Sequence, residues 1–420
     1  MQKNDFIVRF AGEGGQGLLT SATMLAAAHA KAGYHTQTFA TFPSQIVGGP
    51  TWMQARISTG EIFSRGDDLD VLVAFNREAY ERHSQDISET GIVLYNSGEF
   101  ELEDGGGLGM PFDQLAKSTG NVRAANFIVM GALAHLINIP LSVFEDFNSQ
   151  KYTRGRPGDD QIVGSNNMAL RIGMDEAIKS GLTLGQLSQP IKPEYDQLLM
   201  NGNEAIALGA CAAGVQFYVG YPISPATTVL TWMQNNLVGE GSFAFQASSE
   251  IESITAVIGA SFAGKKAMTA TAGPGFSLMG EGLGLAWMAE IPLVVVNVQR
   301  GGPSTGLPTK TEQSDLLSVL TPAHGDVRLP VIAPGTVEEC FFATVSAFNW
   351  AERYQGPVVI LSEHTLSERQ QNIPKPNLSN VKVEERESYT GDSGYLRYDG
   401  SKISPMPIPG RPGSYVANGS

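Results

Sequence analysis

An apolar run, Phe6 to Phe10, meets a glycine loop, Gly12 to Gly17, and then LLTSATMLAAAHAKAG, whose alanine and leucine content predicts a helix ending near Gly33. Further strands are predicted at His35 to Thr41, Trp52 to Ile57, Val71 to Phe75 and Ile92 to Tyr95, with helices at Asn126 to Ile137 and Asn166 to Ser180. This alternation predicts a mostly parallel sheet with helices on its faces. Between Leu182 and Tyr195 the polar, proline-bearing stretch QLSQPIKPEY reads as a linker. The pattern then restarts. A helix over NGNEAIALGACAAG leads to strands at Gln216 to Val219 and Phe243 to Ala247, a helix at Glu250 to Ala263 and a strand at Ala267 to Thr271. Next come a helix at Ser277 to Ala289, strands at Pro292 to Val298 and Arg328 to Ile332, a helix at Val337 to Ala351 and a strand at Pro357 to Leu361. The expected fold class is therefore α/β, with two doubly wound α/β domains at 1–190 and 198–371. From Asn372 onward, prolines at 374, 376, 405, 407, 409 and 412 without any periodic pattern predict an extended tail over 372–420, lying on a neighbour or leading elsewhere.

Composition narrows the function classes. The 420 residues carry 42 acids and 28 bases, a net charge of −14 that offers no cationic field to a nucleic-acid backbone. The two cysteines, Cys211 and Cys340, lie far apart with no CxxC or Cys/His pair, so no disulfide framework, zinc site or iron–sulfur ligand set is encoded, and both read as small buried hydrophobes. The apolar run Ile291 to Val296 is far short of the ~20 residues needed to span a bilayer, and a soluble cytoplasmic protein is expected.

Five segments are candidates for chemistry. GEGGQG, with Gly12, Gly14, Gly15 and Gly17, fits GxGxxG between a strand and a helix, where backbone amides favour an anion. No Asp or Glu follows between Glu13 and Glu61 to hold a ribose hydroxyl, and no GK[ST] follows, so a dinucleotide and a Walker loop are both disfavoured. A phosphate, a partner's main chain or a plain tight turn remain as readings. YPISP, Tyr221 to Pro225, follows a strand and either holds the Ser224 hydroxyl toward a ligand or lets Ser224 cap the next helix. In QASSEIES, Glu250 is either a capping acid or a buried carboxylate that bonds a heterocycle, with Glu252 the exposed alternative. TATAGPGFSLM is a small-residue loop that lets backbone approach a flat ligand or a facing subunit. Arg300 leaves a strand into RGGPSTG and either clamps a carboxylate in bidentate fashion or pairs with Glu312 or Asp315, while Lys310 adds a second positive charge or is merely solvated.

Together, GEGGQG, VGGP, YPISP, QASSEIES, TATAGPGFSLM and QRGGPSTGLPTKTEQSDL resemble the fused gamma and alpha segments of a 2-oxoacid:ferredoxin oxidoreductase alpha subunit, over about residues 5 to 420 and most like the 2-oxoglutarate type. The resemblance implies a gamma-type domain at 1–190, a pyrimidine-binding thiamine diphosphate domain at 198–371, and a tail leading to a C-terminal domain that this sequence does not include. It implies that Glu250 hydrogen-bonds the aminopyrimidine as the catalytic acid, that Pro222 contacts the same ring, and that Ser224 and Arg300 hold the 2-oxoacid carboxylate. Ser224 stands where the family commonly has threonine, which keeps the hydroxyl but loosens its rotamer. Lys310 is expected to favour a dicarboxylic substrate, and the Gly12 to Gly17 loop to contact coenzyme A or a partner.

No GDG motif for magnesium and diphosphate occurs, so the resemblance implies a beta subunit that completes the thiamine diphosphate and Mg2+ site and brings a [4Fe-4S] cluster, in an (alpha-beta)2 assembly. The expected reaction converts 2-oxoglutarate, coenzyme A and oxidised ferredoxin reversibly to succinyl-CoA, CO2 and reduced ferredoxin. Neither nucleic acid nor membrane is an expected partner. The alternatives are the same subunit acting on pyruvate or branched-chain 2-oxoacids, and a non-enzymatic nucleotide-binding regulatory subunit centred on Gly12 to Gly17.

Overall fold

A computed structural model describes residues 2–41, 48–103, 105–191, 193–391 and 395–411. Val47 of VGGP and the tail beyond Arg411 lie outside the described residues. The chain forms two compact units, Met1–Leu199 with Arg369–Pro374, and Met200–Glu368 with Lys375–Ser420.

The first unit opens with β1 (Asp5–Glu13), α1 (Leu18–Ala32), β2 (His35–Thr41), β3 (Pro50–Ser58), β4 (Leu69–Ala74), β5 (Ile87–Asn96) and β6 (Leu108–Met110). Phe6, Val8 and Phe10 of β1 join one hydrophobic cluster, and Ile7 and Ala11 join another on the opposite face. A strand covered on both faces reads as a continuous apolar run, which is why β1 was legible in the sequence. The sheet runs β6-β5-β4-β1-β3-β2 and then takes in the strands Gln371–Pro374 and Gln197–Met200. The expected parallel character holds for β6, β5, β4 and β1. It fails for β3, which is antiparallel to both β1 and β2, and for Gln371–Pro374, antiparallel to β2. For β3 against β2 the reason is connection length: the segment from Thr41 to Pro50 is shorter than the dozen or more residues that a parallel crossover needs. Helices α2 (Ala125–Leu136), α3 (Leu141–Tyr152) and α4 (Asp159–Ser180) pack in the larger cluster, α3 being a helix that the hydrophobic pattern did not reveal.

The second unit largely alternates strand and helix. After α5 (Gly202–Ala212) come β7 (Phe217–Gly220), α6 (Thr227–Asn236), β8 (Phe243–Gln246), α7 (Glu250–Phe262), β9 (Ala267–Thr271), α8 (Gly273–Leu278), α9 (Gly280–Met288) and β10 (Leu293–Gln299). They are followed by β11 (Val331–Ile332), α10 (Val337–Tyr354), β12 (Pro357–Glu363) and α11 (His364–Glu368). All pairings in the order β8-β7-β9-β10-β12-β11 are parallel. The single helix expected at Ser277 to Ala289 is instead two, α8 and α9, meeting at Met279. Pro274 in the first turn starts α8 early, since proline is well placed there, and the glycines around it weaken a continuous helix.

The proline-rich segment from Lys375 packs against its own second unit. Arg386 gives a bidentate pair to Glu352, through Nε to Oε2 at 2.8 Å and Nη2 to Oε1 at 2.6 Å, with both residues buried. Its Nη1 also donates to the Ser261 carbonyl at 2.8 Å, so every part of the guanidinium is engaged. Met406 and Ile408 add buried apolar contacts. Among the described residues, no helix is long and apolar enough to cross a membrane.

Candidate active site

In the second unit, β7 turns outward in two directions in the strand order: β8 lies on one side of it and β9 on the other. That reversal opens a crevice at the carboxyl ends of the strands, the usual ligand position in an open parallel sheet. Four of the sequence candidates leave strands at this edge. YPISP follows β7, Glu250 follows β8, GPGF follows β9 and Arg300 follows β10.

Glu250 is the first residue of α7 and only 5% exposed. The capping role belongs to its neighbours: the Ser249 side chain accepts from the Glu252 backbone N–H at 3.1 Å, and Glu252 accepts from the Ser248 N–H and hydroxyl, both at 2.6 Å. The Glu250 carboxylate makes no hydrogen bond to any described residue. Gly275 lies against it, since a Cβ there would stand 2.4 Å from Glu250 Oε1 and 2.1 Å from Thr271 Oγ1. The Glu250 oxygens are not among the sealed, unpartnered atoms, so they remain open to accept from a ligand in the crevice.

Arg300 is 6% exposed. Its Nη1 donates to the Ser224 carbonyl at 2.6 Å, and its Nε is buried without a partner. Burial pulls its pKa below the ordinary arginine value, and the Glu250 charge opposes that shift. Neither Glu312 nor Asp315 pairs with it: Glu312 accepts from Gly302 N–H at 3.1 Å and Asp315 from Asn297 Nδ2 at 3.0 Å. Arg300, Gly273, Pro274, Ser277 and Asp315 line a cleft of about 590 Å³.

Ser224 is exposed, and α6 has Ala226 at its N-cap with no side-chain bond, so Ser224 does not cap that helix. Pro222 is half-buried. The turn is held from beneath by Asn203, fully buried in α5, whose Nδ2 donates to the Pro225 carbonyl at 2.9 Å and the Thr228 hydroxyl at 2.6 Å. Lys310 has an exposed side chain, and its backbone closes the loop by accepting from Gly301 N–H at 2.7 Å.

Two residues absent from the sequence candidates belong here. Asn203 has no motif around it. His364, 3% exposed, directly follows β12, and its position at a strand end in an open sheet was the available signal.

The Gly12 to Gly17 loop lies in the first unit. Gln16 Oε1 folds back to accept from Glu13 N–H at 2.7 Å, while Gly14 N–H donates to Gly49 O at 3.3 Å and Gln16 N–H to Glu13 O at 3.3 Å. A Cβ at Gly12 would stand 2.2 Å from Gln16 Oε1, so the glycine makes room for that fold-back. Three of the loop's amides are thus already engaged, unlike an open phosphate cradle.

Residues 7–176 match the family described as pyruvate ferredoxin/flavodoxin oxidoreductase. Residues 208–411 match that described as pyruvate flavodoxin/ferredoxin oxidoreductase, thiamine diphosphate-binding. The 2-oxoglutarate synthase subunit KorA of Methanothermobacter marburgensis is 46% identical over 47% of this chain and 52% of its own length. The 2-oxoacid:ferredoxin oxidoreductase 1 alpha subunit of Aeropyrum pernix is 31% identical over 91% of this chain and 68% of its own. The chain thus spans about half the length of the first of these curated relatives. A solved structure of 2-oxoglutarate:ferredoxin oxidoreductase from Magnetococcus marinus, with 2-oxoglutarate, coenzyme A and succinyl-CoA bound, superposes with a TM-score of 0.90 at 39% identity, covering 99% of this chain and 73% of that one. With both halves matched and the Aeropyrum pernix and Magnetococcus marinus proteins aligned along nearly its whole length, the chain belongs to the alpha subunits of the 2-oxoacid:ferredoxin oxidoreductases.

Proposed function

We propose that this chain is the alpha subunit of a CoA-acylating 2-oxoglutarate:ferredoxin oxidoreductase, binding the thiamine aminopyrimidine and the 2-oxoacid carboxylate and working only with a beta subunit. The observation that carries the reading is Glu250: a buried carboxylate with no hydrogen bond from the protein, beside the close backbone of Gly275. These residues fit a flat heterocycle bearing an N–H, with Pro222 at its side. When bound, thiamine diphosphate supplies the carbon nucleophile and the electron sink for decarboxylating a 2-oxoacid. Glu250 holds the ring by accepting its N–H and keeps a negative charge at that nitrogen. Arg300 and Ser224 orient the substrate carboxylate, and the exposed Lys310 is offered to a second carboxylate.

The beta subunit completes the diphosphate and Mg2+ site and carries the [4Fe-4S] cluster, with electrons passing to ferredoxin and the acyl group to coenzyme A. The Gly12 to Gly17 loop serves coenzyme A or partner contact. The 2-oxoglutarate preference is supported by the names of the relatives and by the Magnetococcus marinus structure.

The test is anaerobic co-expression with the beta subunit, followed by thiamine and iron analysis and an assay of CoA-dependent 2-oxoglutarate oxidation. Bound thiamine, an iron-bearing partner and CoA-dependent turnover are expected. Absence of both thiamine and an iron-bearing partner overturns the reading.

A further inference from the structure

We propose that His364 is a further carboxylate-recognising residue beside Arg300, which favours a dicarboxylic 2-oxoacid by donating a ring N–H to substrate charge held by Arg300 and Lys310. The inference rests on the functional reading above and adds a residue to it.

Two independent links set His364 beside those cations. In the β10 and β12 pairing, Gln299 is registered with Glu363, so the next residues along the two strands are Arg300 and His364. On the other side, the Thr311 and Thr365 hydroxyls share a hydrogen bond of 2.9 Å, which ties the residue after Lys310 to the residue after His364. His364 therefore lies next to the strand end that bears Arg300 and next to the loop that bears Lys310. It is 3% exposed, yet its ring makes no hydrogen bond to a described residue. Glu363, the adjacent acid, is engaged elsewhere: its Oε2 accepts from Thr365 N–H at 2.7 Å and its Oε1 from Leu366 N–H at 2.6 Å.

Charge completes the picture. Burial holds the His364 pKa below the ordinary histidine value; Glu363 opposes the shift, while Arg300 and Lys310 reinforce it. These are the charged groups that face the ring. A dianionic substrate cancels the field of the two cations and favours a protonated imidazole, so its binding takes up a proton. Affinity for the dicarboxylate then falls as pH rises through the His364 pKa of the bound state. A monocarboxylate neutralises less of the field and couples more weakly.

The experiment uses the complete complex with its beta subunit and compares native, His364→Gln and His364→Asn forms, the two amides standing in for either ring nitrogen. KM and kcat are measured for 2-oxoglutarate and pyruvate from about pH 6 to about pH 9, around the histidine range. Both variants are expected to raise the KM for 2-oxoglutarate by about ten- to a hundredfold with little change in kcat, to leave pyruvate nearly unaffected, and to flatten the pH dependence of the 2-oxoglutarate to pyruvate ratio. Equal losses for both acids, or an unchanged ratio and pH profile, overturn the assignment of His364 while the functional reading stands. A native complex that oxidises neither acid overturns the functional reading, and the inference with it. If one variant fails to fold, the other decides.

Discussion

Arg300 Nη1 donates to the Ser224 carbonyl oxygen at 2.6 Å, joining the end of β10 to the turn after β7. The bond uses one arm of the guanidinium to fix its plane and leaves the buried Nε without a protein partner. An arginine anchored in this way is pre-oriented for a planar carboxylate, and the same bond holds the Ser224 turn in place.

Replacing Arg300 by Lys keeps the charge but loses the fork, so it cannot hold the Ser224 carbonyl and a substrate carboxylate together. KM for every 2-oxoacid should rise by roughly ten- to a hundredfold. Unchanged kinetics in the reconstituted complex would remove Arg300 from the carboxylate site.

Lys310 has an exposed side chain, so Lys310→Met should leave folding intact and weaken 2-oxoglutarate selectively by a few- to about tenfold. Specificity constants for 2-oxoglutarate and pyruvate check it. Equal losses for the two acids would exclude Lys310 from substrate selection.

Glu250→Gln should lower kcat by roughly a hundred- to several thousandfold, as expected for an acid used on every turnover at about 3 to 5 kcal/mol. The carboxylate has no protein donor to lose, so the thermal midpoint should stay constant or rise. Near-native turnover would refute the assignment. The steric partner of this test is Gly275→Ala, whose methyl would stand 2.4 Å from Glu250 Oε1 and force it to move. It should reduce thiamine retention and cost about 1 to 3 kcal/mol of stability, measured by denaturant unfolding.

Truncating Arg386 to Met leaves the buried Glu352 carboxylate without its bidentate partner. A loss of about 3 to 5 kcal/mol is expected. Faster proteolysis of the segment after Lys375 should accompany it; a fully protected tail would show that its apolar contacts suffice.

His29 in α1 is buried and its ring Nδ1 pairs with the Leu25 carbonyl at 2.7 Å; burial pushes its pKa down to about 4. Its folded pKa lies below the unfolded value, so the stabilisation is fully present above the unfolded histidine pKa and is lost as pH falls from there toward about 4. His29→Gln should flatten the acid limb of stability against pH, followed by thermal unfolding. An identical acid limb in the variant would assign it to other groups.

Sequence alone determined the α/β alternation of the second unit, because strands covered on both faces must be apolar runs and turns between them must be glycine- and proline-rich. It also placed Glu250 and Arg300 just beyond such strands, since a charged residue at the end of an apolar run has to lie at the sheet edge. Whether Glu250 capped a helix or stayed unbonded was undecided by spacing, and tertiary structure decided it by giving the cap to Ser249 and bringing Gly275 against the carboxylate. The antiparallel β3 and the return of Gln371–Pro374 to the first sheet were hidden because pairing partners are a property of space, not of local pattern. His364 shows the limit most clearly. One histidine after one strand carries no motif, and only the register of β12 with β10 and the Thr311 to Thr365 bond set it beside the segments that bear Arg300 and Lys310, because parallel pairing joins residues that lie far apart along the chain.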